Sequence, residues 1–262
     1  METQFGISMA GSHAGVLAGS LSRDFADSTI LTDHSHEMGQ IKYALSGIMV
    51  VSSTEGHWVV PPTRALWLAP HVRHRVRMLG KVRLRSVFVN PAFSHGLPAQ
   101  SCMLPVSPLF REIIAAVAAA GLSAVPSRRI KLLMNLLLEE VSADSCLPLH
   151  LPVPKDHRLA IICTHIQEHL DDVKTLNEWS RDLGYDQRTL HRLFMHELGM
   201  SFGQWRQQAK LLTALEWLAE GKQVLAVALD LGYQNQSAFT AMFRRNLGLT
   251  PSEFVKSVVP AE

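Results

Sequence analysis

Short apolar segments dominate the chain from about residue 39 to residue 90. The candidate strands are QIKYAL, IMVVS, HWVV, ALWLA, HRVRML and VRLRSVFV, and the turns between them contain Ser46-Gly47, Glu55-Gly56, Pro61-Pro62 and Gly80-Lys81. Closely spaced strands with such turns favour a small β-barrel or sandwich. Along HRVRML and the residue before it, His74, Val76 and Met78 fall on one face and Arg73, Arg75 and Arg77 on the other. We expect the face of His74 to point to the interior.

From Pro108 onward, the spacing of the apolar residues becomes that of a helix. The segments PLFREIIAAVAAAG and SRRIKLLMNLLLEEVSAD predict two helices, with Gly121 ending the first and Ser127 capping the second. Both are apolar around much of their circumference, which predicts packing against the barrel or against a second subunit. The following segment CLPLHLPVPKDH contains three prolines and predicts a semi-rigid linker between two domains.

The rest of the chain is predicted to be entirely helical. Capping boxes begin at Thr175, Ser201 and Thr250, and glycines stand where helices should end. The predicted helices are 156–169, 176–183, 187–197, 202–220, 224–231, 236–247 and 251–257.

One unit occurs twice in this helical part. TLNEWSRDLGYDQRTLHRLFMHELG and QVLAVALDLGYQNQSAFTAMFRRNLG each predict a short helix, a turn at Gly-Tyr and a second helix with one apolar stripe. This is helix-turn-helix geometry, in which the second helix presents its free face to a DNA major groove about 12 Å wide. The candidate DNA-contacting residues are Gln187, Arg188, Thr189, His191 and Arg192 in the first copy, and Asn235, Gln236, Ser237, Thr240, Arg244 and Arg245 in the second.

The segment SFGQWRQQAKLLTALEWLAEG between the two copies predicts a long helix. About 20 residues at 1.5 Å per residue span about 30 Å. One turn of B-DNA is about 34 Å. A rigid spacer of this length can therefore place both second helices on one side of a duplex.

Charge does not by itself indicate a nucleic-acid partner. The 262-residue chain has a net charge of +2, and from Lys155 onward it has 12 Lys and Arg against 13 Asp and Glu. DNA binding must therefore depend on the local placement of arginines. Three widely separated cysteines predict no disulfide framework and a reducing cytoplasm. The chain shows no convincing signal peptide and no apolar stretch of about 18 residues, so no membrane partner is expected.

The C-terminal part resembles the AraC/XylS family of bacterial transcription regulators. The resemblance rests on GYDQRTLHRLFMHELGMSFGQW, on AKLLTALEWL and on ALDLGYQNQSAFTAMFRRNLGLTPSEF. It implies base contacts from Arg188, His191 and Arg192 and from Gln236, Ser237 and Thr240, and phosphate contacts from Arg244 or Arg245. The family usually has Arg where this chain has Lys210, and often has Arg where it has Ala241. We therefore expect the first copy to discriminate sequence and the second to anchor.

A second resemblance concerns the barrel. His34-Ser-His36, Gln40, Gly47 and His74 resemble the cupin metal pattern, with Gln40 at the usual Glu position. Three imidazoles can hold a divalent transition metal, and the same residues can instead bind a small-molecule effector. If His34, His36 and Gln40 belong to one extended strand, they point to one side. Glu37 and His57 are further candidate ligands, and His71 and Arg64 are candidate contacts to an anionic effector.

The sequence thus predicts an α+β, non-enzymatic, cytoplasmic transcription regulator. The predicted domains are a cupin-like barrel at 1–106 (core about 30–92), a helical dimerisation or relay region at 107–145, a Pro-rich linker at 146–155 and a DNA-binding domain at 156–258, with helix-turn-helix motifs at about 176–197 and 224–247. Expected partners are operator DNA, an effector, RNA polymerase and a second copy of the chain. The barrel segment also resembles a subgroup associated with efflux or transporter genes. A metal-dependent cupin enzyme (dioxygenase or isomerase) with a helical appendage, and a helical interaction module without DNA, are the alternatives.

Overall fold

A computed structural model describes residues 18–93, 96–121, 127–141, 146–147 and 149–258. The chain divides into two compact units, the first reaching to Leu149 and the second spanning His150–Ser257. None of the helices in the described ranges combines the length and the apolar character that a membrane crossing needs.

The first unit contains two antiparallel β-sheets. Its strands are β1 (Ala18–Phe25), β2 (Ile30–His34), β3 (Gly39–Ala44), β4 (Ile48–Ser53), β5 (Gly56–Val60), β6 (Arg64–Leu68), β7 (His74–Leu79), β8 (Val82–Val89) and β9 (Cys102–Pro105). The strand orders are β1-β8-β3-β6-β9 and β5-β4-β7-β2. The predicted cupin-like β architecture is confirmed. The alternation pattern missed β1, β2 and β9, which lie at sheet edges.

Two helices cover the outer face of the first sheet. They are α1 (Pro108–Ala119) and α2 (Arg128–Glu139). Phe110 and Ile114 of α1 pack in one buried cluster with Ile41 and Tyr43 of β3. The predicted packing of these helices against the sheet is therefore confirmed.

The pleat of β3 decides what points into the space between the sheets. Successive side chains of a strand point to opposite faces. Because Ile41 and Tyr43 face the helices, Gln40 and Lys42 face the interior. Both are buried, with 3% and 2% of their surface exposed.

The second unit is helical, as predicted. After the two-residue strand β10 (Leu151–Pro152) it contains α3 (His157–Glu168), α4 (Leu176–Leu183), α5 (Gln187–Leu198), α6 (Phe202–Ala219), α7 (Val224–Asp230), α8 (Gln236–Leu247) and α9 (Pro251–Val258). The end of the proline-rich segment packs within this unit, since Trp205 Nε1 donates to the Pro152 carbonyl at 3.3 Å. The backbone N–H groups of Lys155 and Asp156 also donate to the carboxylate of Glu197.

The prediction that the cysteines form no disulfide is wrong. Cys102 at the start of β9 is bonded to Cys146, with 5.6 Å between their Cα atoms. The adjacent backbone brings them together, since the N–H of Leu147 donates to the Met103 carbonyl at 2.8 Å. Sequence spacing could not show this, because the two residues are 44 apart and meet only through the tertiary fold.

Reduction of this disulfide should lower the stability of the first unit. The bond closes a loop across a separation of 44 residues. In the chain-entropy model, the entropy that the unfolded chain loses stabilises the folded state by about 4 kcal/mol. We expect reductant to lower the urea midpoint of the wild-type protein and to leave a C102A/C146A double variant unchanged. Equal midpoints for the wild type with and without reductant would show that the bond contributes no stability.

Candidate DNA-binding interface and barrel cluster

The first helix-turn-helix motif consists of α4 and α5. Thr175 and Glu178 form the predicted capping box of α4, and Gly184 ends that helix in the left-handed conformation. Asp186 caps α5, its side chain accepting from the backbone N–H groups of the second and third residues of the helix. Leu190, together with Phe194 and Leu198, forms the buried stripe of α5, so the opposite face is left to solvent.

The second motif consists of α7 and α8 and follows the same plan. Asn235 caps α8 by accepting from the Ala238 N–H at 2.9 Å. Phe239, Met242 and Phe243 are buried. Asn235 was also a candidate DNA contact, and the structure shows its side-chain oxygen engaged in the cap.

The predicted DNA-contacting side chains lie on the solvent-facing sides of α5 and α8. Those classed as exposed are Gln187, Arg188, His191, Arg192, Asn235, Gln236, Ser237, Arg244 and Arg245, whereas Thr189 and Thr240 are half-buried. Within the described part of the chain, the four arginines in this set take part in no ion pair. The guanidinium groups are therefore available to an anionic partner, although the unit as a whole is not basic.

Both Gly-Tyr turns are held by a cation above the tyrosine ring. The Arg158 guanidinium lies 5.2 Å from the ring centroid of Tyr185. Lys210 Nζ lies 5.5 Å from that of Tyr233. Lys210 stands where the family usually has Arg, and it still supplies the cation, a contact of the cation–π kind. Burial lowers the pKa of Lys210.

A second repeated contact was not found from the sequence. Lys174 forms a salt bridge with Asp182, and Lys222 forms one with Asp230. Each lysine precedes the first helix of a motif, and each aspartate lies in or at the end of that helix. The common spacing of eight residues in both copies was the available signal.

Ala241 lies on the exposed face of α8. It lines an open depression together with Gln236, Ser237, Thr240, Arg244, Arg245 and Thr250. The absence of a long side chain at Ala241 therefore leaves space between polar and basic neighbours on this face.

The three predicted histidines of the barrel do come together. The ring centroids of His34 and His74 are 4.3 Å apart, those of His36 and His74 are 5.3 Å apart, and those of His34 and His36 are 6.3 Å apart. The Gln40 side-chain amide lies 3.0 Å from His36 Nε2. The assumed single strand is wrong, however. His34 ends β2, His36 lies in the connection and Gln40 belongs to β3, so convergence depends on the turn between two strands.

Backbone carbonyls fix the protonation of these rings. Nδ1 lies 2.7 Å from the Thr32 oxygen in His34, 2.5 Å from the Met38 oxygen in His36 and 2.9 Å from the Val72 oxygen in His74. Because a carbonyl only accepts, the neutral rings of His34 and His74 carry the proton on Nδ1 and a lone pair on Nε2.

Burial, and then the charge of Lys42, lower the pKa of His36 to about 4 and that of His74 to about 2. The pKa of His34 is also lowered, mainly by burial. All three rings are therefore neutral at neutral pH.

These residues do not fit a metal site. Among the described residues, no three His, Cys, Asp or Glu side chains are arranged to hold a metal ion. Gln40 replaces the carboxylate that would offset a cation, and the positive charge of Lys42 opposes one. Of the further candidates, Glu37 and His71 are exposed. His57 Nδ1 lies 3.0 Å from Ser52 Oγ, and Arg64 Nη1 donates to the Thr63 carbonyl.

Comparison with known proteins identifies the family. A helix-turn-helix domain model matches residues 179–257. The transcriptional regulator NimR of Escherichia coli K12 is 32% identical over 222 residues, which are 85% of this chain and 81% of NimR. The chain belongs to the AraC/XylS family.

One further relative agrees with this membership. The arabinose operon regulatory protein of E. coli K12 is 29% identical over 173 residues. These residues are 64% of this chain and 56% of the arabinose regulator. The structure of ToxT from Vibrio cholerae aligns with 94% of this chain and 100% of its own at a TM-score of 0.41 and 9% identity, too low for residue-level comparison. The relatives are transcription regulators and not enzymes, which rules against a cupin enzyme.

A side chain at Gly232, in the turn of the second motif, should destabilise the protein. Its φ is +76°, and an added Cβ would lie 2.9 Å from the Asp171 Cα. Gly248 also has a positive φ, of +81°, but no atom lies within 4 Å of its added Cβ. We expect G248A to lower the free energy of unfolding by about 1 kcal/mol and G232A by at least about 1 kcal/mol more. Equal losses in urea unfolding would contradict the close backbone contact.

Proposed function

We propose that this transcription regulator contacts DNA bases mainly through α5 and contacts the DNA backbone mainly through α8. The first unit senses a small-molecule effector at the histidine cluster. The observation on which the proposal rests is the unpaired, exposed set of Arg188 and Arg192 on one face of α5.

The difference between the two second helices supports this division of roles. On α5, Gln187, Arg188, His191 and Arg192 all project from one exposed face. Arg can donate two hydrogen bonds to guanine, and Gln can pair with adenine. On α8, the two arginines lie in the last turn, while the middle of the exposed face is Ala241. Such a helix suits phosphate contacts, which position a protein without specifying sequence.

The spacer helix is consistent with both motifs contacting one duplex. Helix α6 has 18 residues, which correspond to about 27 Å. This is close to the ~34 Å of one turn of B-DNA.

The first unit supports the effector and dimer parts of the proposal. His74 and Gln40 are buried between the two sheets and bring polar atoms into an apolar interior. On α2, Leu132 and Leu136 are one helical turn apart and 57% and 42% exposed. We propose that this stripe pairs two copies of the chain, so that effector binding changes the spacing of two DNA-binding units. Control of nearby transporter, efflux or metabolic genes rests on the sequence resemblance alone.

Removal of either arginine from α5 should reduce sequence preference. We expect R188A and R192A each to weaken binding to the DNA upstream of the protein's own gene by about 10- to 100-fold, because a bidentate Arg–guanine pair contributes about 1–3 kcal/mol. Binding to a scrambled duplex should fall much less. Fluorescence anisotropy on both duplexes, across salt concentrations, measures the ratio.

The matched control is R181A, which removes the same charge from the exposed surface of α4. R181A should change the affinity for the specific duplex and the affinity for the scrambled duplex by the same factor. An unchanged ratio of specific to nonspecific binding in R188A and R192A would refute base contact by α5.

Addition of a cation to α8 should strengthen anchoring. We expect A241R to bind both specific and scrambled DNA more tightly, and to make the slope of log K against log salt steeper by about one unit, because one further phosphate is neutralised. The control A120R adds the same charge at an exposed position of the first unit and should leave the slope unchanged. Weaker binding by A241R would indicate that DNA approaches Ala241 too closely for a backbone-anchoring helix.

A further inference from the structure

Three buried polar side chains of the first unit have no evident role in its folding. Lys42 on β3 is 2% exposed, and Ser86 on β8 and His74 on β7 are fully buried. Lys42 and Ser86 are direct neighbours across the β3–β8 pair. None of the sequence patterns pointed to Lys42 or Ser86.

The contacts of neighbouring residues show on which face of its strand each of these side chains lies. Val87, which follows Ser86, packs in the outer cluster under α1 and α2, so Ser86 shares the interior face with Lys42. On that face, Phe88 lies with its ring centroid 5.4 Å from that of His36, and His36 contacts His74 from the second sheet. The group therefore lies between the two sheets.

Their polar atoms are incompletely satisfied. Within the described residues, His74 Nε2 and Ser86 Oγ are buried without a hydrogen-bond partner. Burial lowers the pKa of Lys42 to about 7, and none of the carboxylates in the described part of the chain counteracts this effect. Buried polar groups without partners destabilise a fold, and a buried charge without a counter-ion does so most. Stability therefore does not explain this group.

Their chemistry defines a complementary ligand. The Lys42 ammonium and the Ser86 hydroxyl are hydrogen-bond donors on neighbouring strands. Of the two, the Lys42 ammonium carries a positive charge. His74 Nε2 has a lone pair, because its Nδ1 donates to the Val72 carbonyl. The inner face around them also contains the buried apolar side chains of Leu66 and Phe88. One buried positive charge suits a monoanion better than a phosphate dianion.

We propose that the interior of the first unit binds a small hydroxycarboxylic acid as its carboxylate. Lys42 and Ser86 donate hydrogen bonds to the carboxylate oxygens, and the ligand hydroxyl donates to His74 Nε2. The proposal rests on the effector-binding role proposed above and names the chemical class of the effector.

The first experiment needs no ligand. In urea unfolding of the full chain, K42M should have a higher midpoint than the wild type, because it replaces an uncompensated buried charge by an apolar side chain of similar length. The control K81M removes an exposed lysine from the β7–β8 turn and should leave the midpoint unchanged. A K42M midpoint below that of the wild type would show that Lys42 stabilises the fold and would overturn the proposal.

The second experiment uses four probes: lactate, propionate, lactamide and inorganic phosphate, with sodium chloride at equal ionic strength as reference. A ligand that binds only the folded state raises the unfolding midpoint. We expect lactate to raise the wild-type midpoint most, propionate less and lactamide not at all, and we expect K42M to lose the lactate effect. Absence of any lactate effect, an equal effect of lactamide, or an effect of inorganic phosphate alone would overturn the assignment.

These outcomes are separable from those of the proposed function. DNA binding by the wild-type protein and by the arginine variants is measured without any probe. If lactate raises the unfolding midpoint but leaves DNA binding unchanged, the ligand assignment stands and the sensing role fails.

Discussion

Burial of one face of each strand and helix is the constraint on which both units depend. On β3, packing of Ile41 and Tyr43 beneath α1 turns Lys42 into the space between the sheets. On α5, burial of the stripe that includes Phe194 leaves Arg188 in solvent. The same periodicity that forms the core thus selects the side chains that remain for ligands, since a residue cannot change faces without a shift in register.

The two units place positive charge in opposite environments. The arginines of α5 and α8 are in water, where an unpaired guanidinium costs little and stays charged. Lys42 lies in the interior, where burial lowers its pKa to about 7. Desolvation also strengthens any interaction with an anion that reaches it, because the effective dielectric is low. The exposed set suits a polyanion whose binding weakens with salt, and the buried set suits a single small anion that salt screens little.

The two helix-turn-helix motifs share a supporting frame but differ in their exposed faces. Each has a Gly-Tyr turn with a cation over the tyrosine, and each has a Lys–Asp salt bridge closing its first helix. In both salt bridges the lysine is half-buried and the aspartate is exposed, and pairs so near the surface contribute little to stability. The exposed faces differ because packing does not restrict them. Ala241 is exposed on α8, whereas Phe239 is fully buried and a Cβ added at Gly232 would meet the Asp171 backbone.

Local pattern determined most of the second unit, since the capping boxes, the terminal glycines and the apolar stripes of α5 and α8 all act within a few residues. It also determined the central strands of the first unit, and the resemblance to the cupin pattern named His34, His36 and His74. Tertiary structure decided how those histidines meet, because a turn between β2 and β3 and not one strand brings them together. It also decided the Cys102–Cys146 bond and the burial of Lys42 beside Ser86. These features join residues far apart in sequence, and sheet pairing and desolvation are long-range effects that no local pattern specifies.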